Sequence, residues 1–245
     1  MKLQKPLFPT LNTIALATFF LPQGALQCAE HSGLYTGLML GAGFLSGKRS
    51  IKETKSTTNL ETYADQEKDS ATGMLINGVL GYKDHAGSHL YGGELLIGYS
   101  SYKKTLKKTH PSSPDNYASS TLKRPFGCAL LGFYGQELGG FSLLGKLGIE
   151  FSSFSLELET GDTTTGDKGT AKKSHFSPAL LIGLAGEMPL ANNVDLVISY
   201  DYSMHVFHKD VKAEHTDPMD PDVTIQQTAH APNMHSFTVG AVWHF

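Results

Sequence analysis

From about residue 33 onward, apolar side chains return at every second position in runs of about 10 to 15 residues, separated by polar stretches. Period-two alternation is the mark of a strand, and no stripe of helical period competes with it. The pattern predicts eight strands, near 33–46, 73–83, 89–102, 124–136, 141–156, 174–187, 194–208 and 234–245. Their connections alternate as well. Long polar segments follow the odd strands (47–72, 103–123, 157–173 and 209–233). Tight turns follow the even ones, as in Asp84-His85-Ala86-Gly87-Ser88 and Glu137-Leu138-Gly139-Gly140. The expected fold is all-β: an eight-stranded antiparallel up-and-down transmembrane β-barrel, with short periplasmic turns and four long extracellular loops.

A soluble sandwich also alternates, so the content of each face decides. In the first strand Leu34, Leu38, Leu40, Ala42 and Phe44 share one face, opposite Tyr35, Gly37, Met39, Gly41 and Gly43. In the fifth, Phe141, Leu143, Leu147, Ile149 and Phe151 oppose Lys146, Gly148, Glu150 and Ser152. A continuous apolar face set against small residues with isolated charges fits a barrel turned apolar side out, around a narrow polar interior. The aromatics agree. Tyr91/Tyr99, Phe126/Tyr134, Phe141/Phe151 and Phe237/Phe245 form pairs eight to ten residues apart on the apolar face. With strands rising about 3.3 Å per residue at a tilt near 40°, that places two aromatic girdles roughly 20 to 25 Å apart.

The first segment reads as an address. Lys2 and Lys5 precede an apolar stretch from Leu7 to Leu21, and small residues follow at Ala25 and Ala29, which is the order of a secretory signal peptide. Residues 1–29 are therefore expected to be a signal peptide, and residues 30–245 the barrel domain. The two cysteines are Cys28 and Cys128, so the mature domain would keep one and could form no internal disulfide.

The closing segment Phe237-Thr238-Val239-Gly240-Ala241-Val242-Trp243-His244-Phe245 ends on Phe along an alternating apolar face. With Leu34-Tyr35-Thr36-Gly37-Leu38 opening the barrel, the chain resembles the small eight-stranded outer-membrane barrels of the OmpA/OmpX and opacity type. The resemblance implies an outer-membrane location and makes Phe237, Val239, Trp243 and Phe245 a signal for the barrel insertion machinery. It also implies contact with outer-membrane lipid and lipopolysaccharide. The resemblance to OmpA itself reaches only its barrel, and no peptidoglycan-binding domain is expected after residue 245.

Composition narrows the chemistry. A net charge of -3 gives no global field for nucleic acid, and 40% hydrophobic content with 18% charged residues excludes a disordered tail. Glu94, Lys146, Glu150 and Asp201 fall on the inward parity and are expected to form a partial ion-pair network. The second long loop carries Lys103, Lys104, Lys107, Lys108, Lys123 and Arg124, a candidate site for lipopolysaccharide phosphates or a sulfated host glycan. The fourth gathers Asp210, Glu214, Asp217, Asp220 and Asp222 around two prolines without the Gly and distal Glu of a calcium loop. His175-Phe176-Ser177 has the His-x-Ser form of lipid A deacylases, although its parity points both side chains inward. The histidines show no metal-ligand spacing. The expectation is a monomeric outer-membrane surface protein without cofactor or metal, acting in adhesion, host contact or envelope structure. A lipid-modifying esterase and a narrow channel are the alternatives.

Overall fold

The computed structural model describes the backbone of residues 32–55, 60–110, 113–162, 164, 168–205, 211–216 and 223–245; within these, the side chains of 51–55, 60–69, 108–110, 113–116, 162, 211, 215 and 223 are not described. Ten strands are present: β1 Gly33–Lys55, β2 Leu60–Ala86, β3 His89–His110, β4 Ser113–Glu137, β5 Ser142–Asp162, β6 Lys168–Ala191, β7 Val194–Met204, β8 Val211–Thr216, β9 Val223–Ala229 and β10 Asn233–His244. No helix occurs among the described residues. The expected signal segment, residues 1–29, lies outside them.

Strands β1 to β7 pair in chain order, β7 pairs with β10, and β10 pairs with β1, closing an antiparallel ring of eight. Closure leaves no open sheet edge along this stretch, as an apolar surrounding requires. Its pitch follows from the register. One circuit through Tyr35, Gly81, Glu94, Leu131, Gly148, Leu181, Ser203 and Met234 returns to β1 at Leu45, ten residues beyond its start. Eight strands with that climb tilt by about 40° around a backbone cylinder of roughly 8 Å radius. Side chains alone fill such a cylinder.

The outer surface is apolar over this ring. Leu38, Leu80, Leu130, Leu147 and Leu184 are all more than half exposed. Tyr82, Tyr91, Tyr134, Phe141, Trp243 and Phe245 are exposed toward the short turns, and Phe44, Tyr99, Phe126, Phe151, Phe176 and Phe237 toward the other end. Tyr202, near the same end, is half-buried. Exposed leucines in rows between two aromatic girdles are the surface of a protein solvated by lipid.

The long connections differ from expectation. The segments 103–110, 113–123 and 157–162 are strand, so β3, β4 and β5 continue well past the aromatic girdle. β5 shows how. From Leu143 to Phe151 the large apolar side chains sit at odd positions and face outward; beyond it Ser153, Glu157 and Glu159 take the outer positions, with Ser155 covered between them, while Phe154, Leu156 and Leu158 are buried inside. The apolar face changes sides near Ser152. Above that level the wall has the polar-out, apolar-in pattern of a protein in water.

The connection between the seventh and eighth ring strands forms the β8–β9 hairpin. β9 takes over as the partner of β1 from Arg49 to Lys55, beyond the reach of β10. Ala213, Ile225 and Ala229 of this hairpin join Leu122, Phe154, Leu156 and Leu158 in one buried cluster. The hairpin thus covers the lumen from the long-loop end.

Candidate functional site

The lumen is filled tier by tier. Nearest the short turns, Lys83 Nζ donates to Glu187 Oε2 at 2.8 Å and to Asp195 Oδ2 at 3.1 Å, and Asp195 Oδ2 also lies 2.8 Å from His244 Nε2. All four side chains are buried. They come from β2, β6, β7 and β10, so the cluster ties the closing strand across the barrel. In the next tier Tyr35 Oη donates to Glu94 Oε1 at 2.7 Å, and Lys146 Nζ donates to Glu94 Oε2 at 2.8 Å. Asp201 accepts from Ser199 at 3.0 Å through Oδ2 and has no hydrogen-bond partner at Oδ1.

Above this tier lies a cavity of about 40 Å³ bordered by Asp201, Arg124, Glu150, Asn77 and Ser236. That is space for two or three water molecules. Its far wall is an ion pair between Arg124 and Glu150, with Ser152 Oγ receiving the guanidinium at 2.9 Å and donating to Glu150 Oε1 at 2.6 Å. Ser203 Oγ also donates to Glu150. Gly127 leaves room for the pair as placed, because a Cβ there would sit 2.8 Å from the guanidinium and 3.1 Å from the carboxylate and one of them would have to shift. Beyond it Arg49 donates to Ser120 Oγ at 2.8 Å and to the Ser120 carbonyl at 2.9 Å, and the apolar cluster under the hairpin follows.

The four inward residues read from the sequence are therefore all buried, and they divide into two groups. Glu94 holds Lys146, whereas Glu150 holds Arg124, and Asp201 makes no ion pair among the described residues. Arg124 is a correction: expected on the basic loop, it is 4% exposed and belongs to the lumen. The register shifts on both sides of β4 at this point, between Tyr99 and Tyr102 and between Lys123 and Phe126. Pro125, which has no N–H to give to a ladder, sits at that irregularity. Sequence parity missed the Lys83, Glu187, Asp195 and His244 cluster, although acidic and basic residues near turn ends of one inward parity signal it.

The remaining basic residues occupy strand rather than loop. Lys103, Lys107 and Lys123 stand on the outer face of the extended β3–β4 hairpin, where Lys103 is directly opposite Lys123. Lys104 follows Tyr102 on the inner face, and the Lys108 side chain lies outside the described residues. β5 and β6 continue this surface with Glu157, Glu159, Lys168 and Lys172. Glu157 bonds Lys123 at 2.7 Å and Lys172 at 3.2 Å, and Tyr117 donates to Glu159 at 2.7 Å. The hydrogen bond from Lys123, reinforced by Lys172, holds the Glu157 carboxyl below the ordinary glutamate range. Tyr117 does the same for Glu159, with help from Lys168.

His175 is half-buried and Ser177 wholly buried, and no hydrogen bond joins them among the described residues; the Ser177 hydroxyl has no partner. Phe176 between them points outward. The pair is thus placed behind the wall that an acyl chain would touch. Of the acidic run in the fourth loop, Glu214 is exposed and accepts from Gln226, while Asp210, Asp217, Asp220 and Asp222 fall outside the described residues. Among those residues no cluster of His, Cys, Asp or Glu could hold a metal ion.

No protein-family model matches the chain, and neither does any curated protein. Solved structures do. The outer membrane protein OprG from Pseudomonas aeruginosa is similar with a TM-score of 0.55 at 15% identity, over 89% of this chain and 99% of that one. The outer membrane protease OmpT from Escherichia coli is similar with a TM-score of 0.50 at 9% identity, over 86% and 97% of the two chains. These likenesses establish the fold, a closed outer-membrane type of β-barrel.

Proposed function

We propose that this chain is a surface protein of the bacterial outer membrane that seals its own lumen and works through the part of the wall standing clear of the bilayer, in adhesion or envelope structure. The observation that carries the reading is the filling of the interior. Two buried ion-pair tiers, the Arg124–Glu150 pair and the apolar cluster under the β8–β9 hairpin follow one another along the axis, interrupted among the described residues by small cavities, about 40 Å³ beside Asp201 and Arg124 and about 20 Å³ beside Lys83 and Glu187. Moving an ion through it would require breaking buried ion pairs in an interior with room for only a few water molecules. The chemistry available to a partner therefore lies outside, on the polar face of β3 to β6. Fusion of the purified barrel to planar lipid bilayers tests this. The expected record is a flat baseline in concentrated salt, and reproducible single-channel steps would favour a narrow channel instead.

A further inference from the structure

The outer face of β3 and β4 just beyond the aromatic girdle gathers lysines and hydroxyls next to exposed aromatic rings. Tyr99 pairs with Phe126 across these strands, and both side chains are exposed. Four residues on from Tyr99, Lys103 faces Lys123, three residues from Phe126. At about 3.3 Å per residue and a tilt near 40°, the two ammonium-bearing positions stand roughly 7 to 10 Å past the girdle. That is the level of headgroups, directly outside the hydrocarbon.

Two lysines directly opposite on one face repel each other, and such a pair is normally avoided. Lys123 has Glu157 at 2.7 Å, but Lys103 has no ion-pair partner among the described residues. Immediately beyond them the hydroxyls of Thr105 and Thr121 meet at 2.9 Å on the same face, exposed and able to donate or accept. Two cations, two hydroxyls and an aromatic shelf beneath match a phosphate on a sugar whose acyl chains run down the barrel wall.

We infer that Lys103 and Lys123 bind the phosphate of an acylated glycolipid in the adjoining leaflet, with Thr105 and Thr121 facing its sugar. The inference rests on the membrane placement proposed above, yet its readout is separate, since a conducting barrel would still retain or release lipid. The phosphate relieves the lysine repulsion, and Glu157 competes with it for Lys123.

The test uses the full chain folded in a zwitterionic detergent, with lipid A in phosphorylated and dephosphorylated forms, and native mass spectrometry to count retained lipid. The phosphorylated form is expected to be retained about tenfold better, a preference that falls with added salt. Lys103→Gln with Lys123→Gln should erase that preference, whereas Lys212→Gln on exposed β8 should keep it. Glu157→Gln should strengthen retention, which gives a readout of opposite sign if the double variant folds poorly. Equal retention of the two forms, or a double variant that still discriminates, overturns the inference. Capture of a heparin oligosaccharide without any preference for phosphorylated lipid overturns it too, in favour of a soluble sulfated partner.

Discussion

Lys146 shows what one inward side chain carries. It is buried against Glu94, which Tyr35 also contacts. Lys146→Met leaves that carboxylate without its cation and is expected to destabilise the barrel by about 3 to 5 kcal/mol. Glu94→Gln added to Lys146→Met should restore most of the loss, since neither charge then remains. Urea unfolding of Lys146→Met, Glu94→Gln and the double variant in one detergent would check this, and simple additivity of the two changes would contradict it. Glu94, Lys146, Glu150 and Asp201 could be placed inside from parity alone. Arg124 could not, because two-residue counting back from outward Phe126 sends it outward, and only the irregularity at Pro125 turns it in.

Among the elements, β5 explains why the expected loops became strands. Its stretch beyond Phe151 is rich in Ser, Glu and Thr, which reads as loop by composition, yet Leu156 and Leu158 keep the alternation with the faces exchanged. Composition follows the solvent, whereas strand follows the period. The number of ring strands and the short turns were therefore legible, and the height of the wall was not. The β8–β9 hairpin was hidden for a similar reason, its strands being short and their apolar residues few: Val211, Ala213, Val223, Ile225 and Ala229. The charged outer face gives this region a pH dependence. Glu157 ionises below its ordinary value because Lys123 and Lys172 favour the carboxylate. The stability it adds is therefore complete above the unfolded glutamate value of about 4.3 and is lost as pH falls through the lower folded value. Hydrogen exchange of the β5–β6 extension should stay protected from neutral pH down to about pH 5 and lose protection only in stronger acid. Loss near pH 6 would point to a histidine instead.

For the whole molecule, the seam between β1 and β10 decides whether a barrel exists at all. The backbones approach closely there: a Cβ at Gly240 would lie 2.1 Å from the Leu38 carbonyl oxygen. At its end the Phe245 N–H donates to the Leu34 carbonyl at 3.1 Å, and the ring is 81% exposed. Deleting Phe245 should lower the assembled fraction in cells severalfold, read as heat-modifiable mobility on gels, while purified chain still refolds in detergent. An undiminished assembled fraction would count against a sorting role for this residue. Such a role was legible only through resemblance, whereas the closure itself follows from the strand count and the need to pair every edge.

The exchange of faces at Ser152 also sets a depth. Between the two girdles the aromatic pairs span roughly 20 to 25 Å along the axis, thinner than the 30 Å of an average hydrocarbon layer. A thick bilayer would have to pinch down around this chain or cover Lys103 and Lys123 with oil, and either adjustment has an elastic cost. The molecule is thus matched to a thin membrane by the length of its own greasy wall, and in a thicker one it would be drawn toward other short barrels that share the same dimple.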